Sequence, residues 1–75
     1  MMDVEGMDVS ARAYRVRVGA HRALVPETLI GAAPRHQDAY EWLALKSRPI
    51  EAAIADLAAG RSPRAPYDQI RLAEA

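Results

Sequence analysis

From Ala11 apolar and polar residues begin to alternate, with Tyr14, Val16 and Val18 on one side of an extended chain and Arg15 and Arg17 on the other. That period of two is the signature of a half-buried strand. Gly19 and Ala20 interrupt it, and His21 to Val25 resume it as a second strand in which either Leu24 or the Ala23 and Val25 pair faces inward. A hairpin is the economical reading, although Gly-Ala marks a turn less sharply than Asn-Gly and leaves the register open by one residue. Pro26 cannot donate to a sheet ladder, so the second strand is expected to stop there. Glu27 to Ile30 then has the length of a single helical turn closed by Gly31.

After a connector at residues 31–34 the period becomes helical. Asp38 followed three residues later by Glu41 resembles a capping box, and Pro34 offers an earlier start at a first-turn position. Ala39, Tyr40 and Leu43, with Trp42 at the margin, form one apolar stripe; Ile50, Ala53, Ile54 and Leu57 form a second. Pro49 separates them. Inside a continuous helix it would remove the bond to the Leu45 carbonyl and clash with it, at a cost of about 3 kcal/mol. With Ser47 as an N-cap, Pro49 sits harmlessly in a new first turn, so a broken or kinked helix is expected, with the break near residues 46–48. Gly60 supplies a left-handed helix stop, residues 61–66 form an extended Pro-rich connector, and Tyr67 to Leu72 is expected to be a strand with Ile70 and Leu72 on one face.

The first ten residues place Asp3, Glu5 and Asp8 among Met and Val at no regular period, and read as a flexible acidic tail, residues 1–10. The expected fold is therefore a single α+β domain over residues 11–75. It is a small two-layer unit with a β-hairpin, a broken or kinked helix, and a C-terminal strand completing a three-stranded antiparallel sheet.

In this order of elements the chain resembles a small bacterial family, domain of unknown function number fourteen eighty-eight. The resemblance rests on Ala23-Leu24-Val25-Pro26-Glu27-Thr28-Leu29 at the hairpin exit and short helix. It continues through Ala39-Tyr40-Glu41, Arg48-Pro49-Ile50-Glu51-Ala52-Ala53 and Ala59-Gly60-Arg61 along the long helix, and ends at Ile70-Arg71-Leu72 in the last strand. Three extra residues fall between Glu41 and the Arg48 segment, and Pro49 has no counterpart in the family pattern. The resemblance implies a fold and no activity.

Composition narrows the function classes. A chain of 75 residues that is 51% hydrophobic but counts sixteen alanines, one tryptophan and no phenylalanine has a thin core, so a partner or second copy that covers apolar surface is expected to help stabilise it. The formal net charge of zero separates it both from highly charged disordered chains and from globally basic nucleic-acid binders. With no cysteine there is no disulfide, thiolate metal site or thiol nucleophile, which fits a reducing, cytoplasmic setting. No apolar run reaches membrane-spanning length, and the N-terminal residues are acidic where a secretory signal is basic.

Catalytic chemistry is poorly supplied. His21 and His36 lie in different elements without companions at ligand spacing, no serine sits in a Gly-x-Ser-x-Gly turn, and no glycine-rich phosphate loop is present. The expectation is a non-enzyme without cofactor or metal. Charge is segregated instead: Arg12, Arg15, Arg17 and Arg22 fall between Val9 and Pro26 with no acid among them. That face either contacts anions, nucleic acid above all, or simply solvates an open sheet; nine arginines to one lysine would also follow from a GC-rich genome. Tyr40 and Trp42 are two residues apart and diverge by about 200°, so both cannot bury in one seam. Trp42 is left partly exposed beside Leu45, and Trp is enriched where proteins meet. Tyr40, Trp42 and Leu45 are thus the candidate interface of a module that binds another protein or a second copy of itself. A nucleic-acid module using the arginine face and a small phage or mobile-element inhibitor are the alternatives.

Overall fold

The alternation of Tyr14, Val16 and Val18 with Arg15 and Arg17 does become a strand, but it is the second of four. The computed structural model describes residues 1–31 and 36–73. Its elements are β1 (Met2–Asp8), β2 (Ala13–Val18), β3 (His21–Pro26), α1 (Glu27–Ile30), α2 (His36–Leu45), α3 (Ser47–Ala58), a 3₁₀ turn (Tyr67–Gln69) and β4 (Arg71–Leu72). The strands form one antiparallel sheet in the order β1-β2-β3-β4. The α+β class is as expected; the sheet has four strands rather than three.

The extra strand overturns the reading of the first ten residues as a tail. Met2, Val4 and Met7 pack against the core while Asp3 and Glu5 face solvent. The period is hidden by a β-bulge: Val4 pairs with Val16 but Gly6 with Arg15, so Glu5 is an additional residue and the inward positions change from even to odd. Gly6 takes φ 123°, a conformation open to a residue without a Cβ.

β1 turns into β2 through residues 9–12. The Arg12 amide donates to the Val9 carbonyl at 3.3 Å, and Arg12 itself has φ 51°, in the left-handed region. A side chain there costs about 1–2 kcal/mol, part of which glycine returns as unfolded-state entropy. Arg12→Gly is therefore expected to raise stability by about 0.5–1 kcal/mol in urea unfolding; a loss would show that the Arg12 side chain holds the turn.

β2 and β3 form the expected hairpin, and the register is fixed by Val18 opposite His21 across a two-residue loop. Gly19 provides the positive φ, 60°, that such a loop requires. Of the two inward faces open to β3, the Ala23 and Val25 pair is the buried one. These two, with Tyr14 and Val16, form the sheet's share of the core; Ala39 and Leu43 of α2, Ile50, Ala53 and Ile54 of α3, and Ile70 complete it.

The helix break falls where expected, for a different local reason. α2 ends at Leu45 and α3 begins at Ser47, with Lys46 alone between them at φ −100°, ψ 18°. Ser47 is the first helical residue rather than the cap, and no side chain caps the start of α3. The Lys46 amide still donates to the Trp42 carbonyl (2.9 Å), and the Lys46 carbonyl accepts from Ile50 (3.1 Å). The chain therefore kinks over one residue. Pro49 lies in the first turn, where its missing N–H is tolerated. Asp38 is likewise inside the first turn of α2 instead of capping it, because that helix already begins at His36; the alternative start at Pro34 lies outside the described residues.

α3 ends as Gly60 implies. Gly60 has φ 78°, its amide donates to the Leu57 carbonyl (3.1 Å), and the Arg61 amide donates to that of Asp56 (2.7 Å), which is a Schellman closure. The expected strand at residues 67–72 is shorter. Tyr67–Gln69 winds into a 3₁₀ turn instead, with amides of Tyr67, Gln69 and Ile70 bonded back three residues, and only Arg71–Leu72 pairs with β3. Ile70 is buried and Leu72 half-buried, as their shared face requires.

Candidate functional site

The helices cover one side of the sheet, and the residues of β2 and β3 that alternate with the buried Tyr14, Val16 and Ala23 lie on the other. Arg15 and Arg17 of β2 and Arg22 of β3 are exposed together, as the alternation demands, and β1 places acids beside them. Arg15 donates to Asp8 (3.0 Å), Arg17 to Asp3 (3.3 Å), and Arg22 Nε lies 3.4 Å from Glu5. The segregation of charge along the chain is thus undone across the sheet. These three acids are the residues that sequence reasoning missed. The signal was present in the Met2-Asp3-Val4-Glu5 alternation, which the bulge cuts short.

An open depression of about 720 Å³ lies over this face, lined by the three arginines, His21 and the Gly19-Ala20 loop. Arg12 stands apart from it in the turn before β2 and is exposed. Exposed ion pairs contribute little apiece to stability, so the ladder chiefly sets the charge that a partner meets.

Asp8 is the most heavily engaged of the acids. Its carboxylate accepts from Ser10 Oγ (2.7 Å), from the Ala11 amide (3.1 Å) and from Arg15 (3.0 Å). The Ser10 hydroxyl first, then Arg15 and the Ala11 amide, lower its pKa from 3.8 to about 2. A carboxylate whose folded pKa is depressed stabilises the fold fully above its unfolded value and loses that contribution as the pH falls toward its folded value. The stability gap between wild type and Asp8→Asn should accordingly be widest above pH 3.8 and close as the pH approaches about 2. Urea unfolding at several pH values reads this directly; a gap independent of pH would remove Asp8 from the account.

The aromatic candidates divide. Ala39 and Leu43 form the buried line of α2, and at about 100° per residue Tyr40 and Trp42 fall on opposite flanks of that line. Tyr40 is 44% exposed, with its ring edge-on to that of Tyr14 (centroids 5.9 Å apart, planes at 71°). Burial pushes the Tyr14 phenol up. On the other flank Trp42 is half-buried against the core and Leu45, about 60° away around the helix, is 78% exposed. Tyr40 therefore does not share a patch with Trp42 and Leu45.

Among the described residues no group of three His, Asp or Glu side chains is placed to hold a metal ion, and no helix is long and apolar enough to cross a membrane. No protein-family model, no curated protein and no solved structure matches this chain.

Proposed function

We propose that the protein is a non-enzymatic interaction module of the bacterial cytoplasm that binds another protein, or a second copy of itself, through the flank of α2 carrying Trp42 and Leu45. The observation that carries this reading is the pairing of a half-buried indole with a leucine that is 78% exposed, at the kink between α2 and α3. Trp42 is anchored on the core, so its exposed part is held in place before a partner arrives, and little side-chain entropy is lost on docking. Leu45 lies alongside and contributes area. Two copies related by a two-fold axis would bring the same patch onto itself, which is the geometry of most homodimers. The likeness to domain of unknown function number fourteen eighty-eight is kept as part of this proposal, supported by the order of hairpin, short helix, long helix and last strand.

The alternative, nucleic-acid contact through the arginine face, is disfavoured by the acids of β1. Arg15, Arg17 and Arg22 each have a carboxylate partner, so a phosphate would have to displace a bond already made.

Sedimentation equilibrium and a fluorescence titration against generic DNA and RNA, at low and high salt, separate the two. The interaction reading expects weak nucleic-acid binding and salt-tolerant association with protein or self, with Trp42→Ala weakening that association by about 2 kcal/mol. A monomer that binds nucleic acid steeply with falling salt, and is indifferent to Trp42→Ala, would contradict it.

A further inference from the structure

A second concavity lies between α3 and the segment that follows it, and shares no lining residue with the Trp42 and Leu45 flank. Pro49, Ala52, Ala53 and Asp56 recur at spacings of three and four, so they form one strip of α3, and Arg64 and Tyr67 face the strip from the connector and the 3₁₀ turn. The groove holds about 350 Å³, within the range of small-molecule sites. Its floor is apolar: a proline ring and two alanine methyls, with the half-buried Tyr67 ring beside them.

Charge decides what can occupy it. Arg61 donates to Asp56 Oδ1 from both Nε (3.1 Å) and Nη2 (3.0 Å), next to the backbone closure of α3, so these two side chains neutralise each other. The exposed Arg64 guanidinium has no hydrogen bond or ion pair with a described residue. The groove is left with one unmatched positive charge at its rim above an apolar floor. An occupant complementary to both has a hydrocarbon body and one negative charge.

We propose that this groove binds a small aliphatic monocarboxylate. Its tail lies along Ala52 and Ala53 between Pro49 and Tyr67, and its carboxylate accepts two parallel N–H bonds from Arg64, the planar match that guanidinium and carboxylate favour. A neutral amphiphile of the same length leaves Arg64 unmatched, and a cationic one is repelled by it.

The test titrates the full isotope-labelled chain with octanoate, and in parallel with octanol and octylamine, following amide chemical shifts. Octanoate should give saturable shifts at Ala52, Ala53, Asp56 and Tyr67. Arg64→Gln should weaken octanoate by about tenfold and leave octanol unchanged. Arg64 is exposed, so this variant should fold normally, and its spectrum verifies that it does. Ala52→Leu, at an exposed helical position, should fill the groove and remove the octanoate shifts. Equal affinity for octanoate and octanol, an Arg64→Gln variant that binds octanoate as wild type does, or unsaturable shifts spread over the whole chain would each overturn the proposal.

Discussion

A chain beginning at Val9 should fail to fold cooperatively. Removing residues 1–8 takes away a whole strand: Met2, Val4 and Met7 leave the core, six backbone pairings with β2 are lost, and the edge of β2 becomes solvent. Partial burial of three such side chains is worth about 1 kcal/mol each, and net backbone hydrogen bonds about 0.5–1.5 kcal/mol each. The loss is then on the order of 5 kcal/mol or more, against a total stability of about 4–11 kcal/mol for a domain of this length. Thermal unfolding followed by circular dichroism should show a broad, early transition in place of a sharp one. A sharp transition near the wild-type midpoint would mean that β1 is dispensable, as a tail would be.

Two leucines separated by one residue should behave in opposite ways. Leu43 is fully buried in the core cluster, and Leu43→Ala leaves a cavity there, so a loss of about 2–5 kcal/mol is expected in urea unfolding. Leu45 is 78% exposed, and Leu45→Ala should change stability by less than about 0.5 kcal/mol. The contrast matters for function as well as for packing. A residue that can be truncated without harming the fold can be tested for partner binding without ambiguity. Comparable losses at both positions would show that Leu45 belongs to the core and would remove it from the candidate interface.

Much of this architecture can be read from local rules where one rule acts alone. β2 follows from strict alternation, α1 from Pro26 and Gly31, the stop of α3 from Gly60, and the helix break from Pro49. Legibility fails where two effects overlap. At Glu5 and Gly6 the bulge shifts the phase of β1, so a regular strand presents an irregular sequence. At Ser47 two features, a good capping residue and a first-turn proline, point to the same break, but the kink is made within one residue, so that Lys46 takes the cap position and Ser47 becomes the first helical residue. At Tyr67 the chain winds for one turn before Ile70 enters the core, and strand propensity in Tyr-Asp-Gln-Ile-Arg-Leu does not reveal that turn. The candidate interface was half legible: the divergence of Tyr40 and Trp42 follows from helix geometry, and the preference of Tyr40 for the edge of Tyr14 required β2 to be in place. The neutralisation of the arginine face depends on β1, whose only trace in the sequence is the Met2-Asp3-Val4-Glu5 alternation that the bulge cuts short.

Position-specific photo-crosslinking in cells reads the location of the interaction surface. A photoreactive residue replaces Leu45 in one strain and Arg17 in another, both at exposed sites on different faces of the molecule. A discrete protein adduct, or a crosslinked dimer, is expected from position 45, lost when Trp42→Ala is added, and none from position 17. Adducts from position 17 with nucleic acid, and none from position 45, would contradict it.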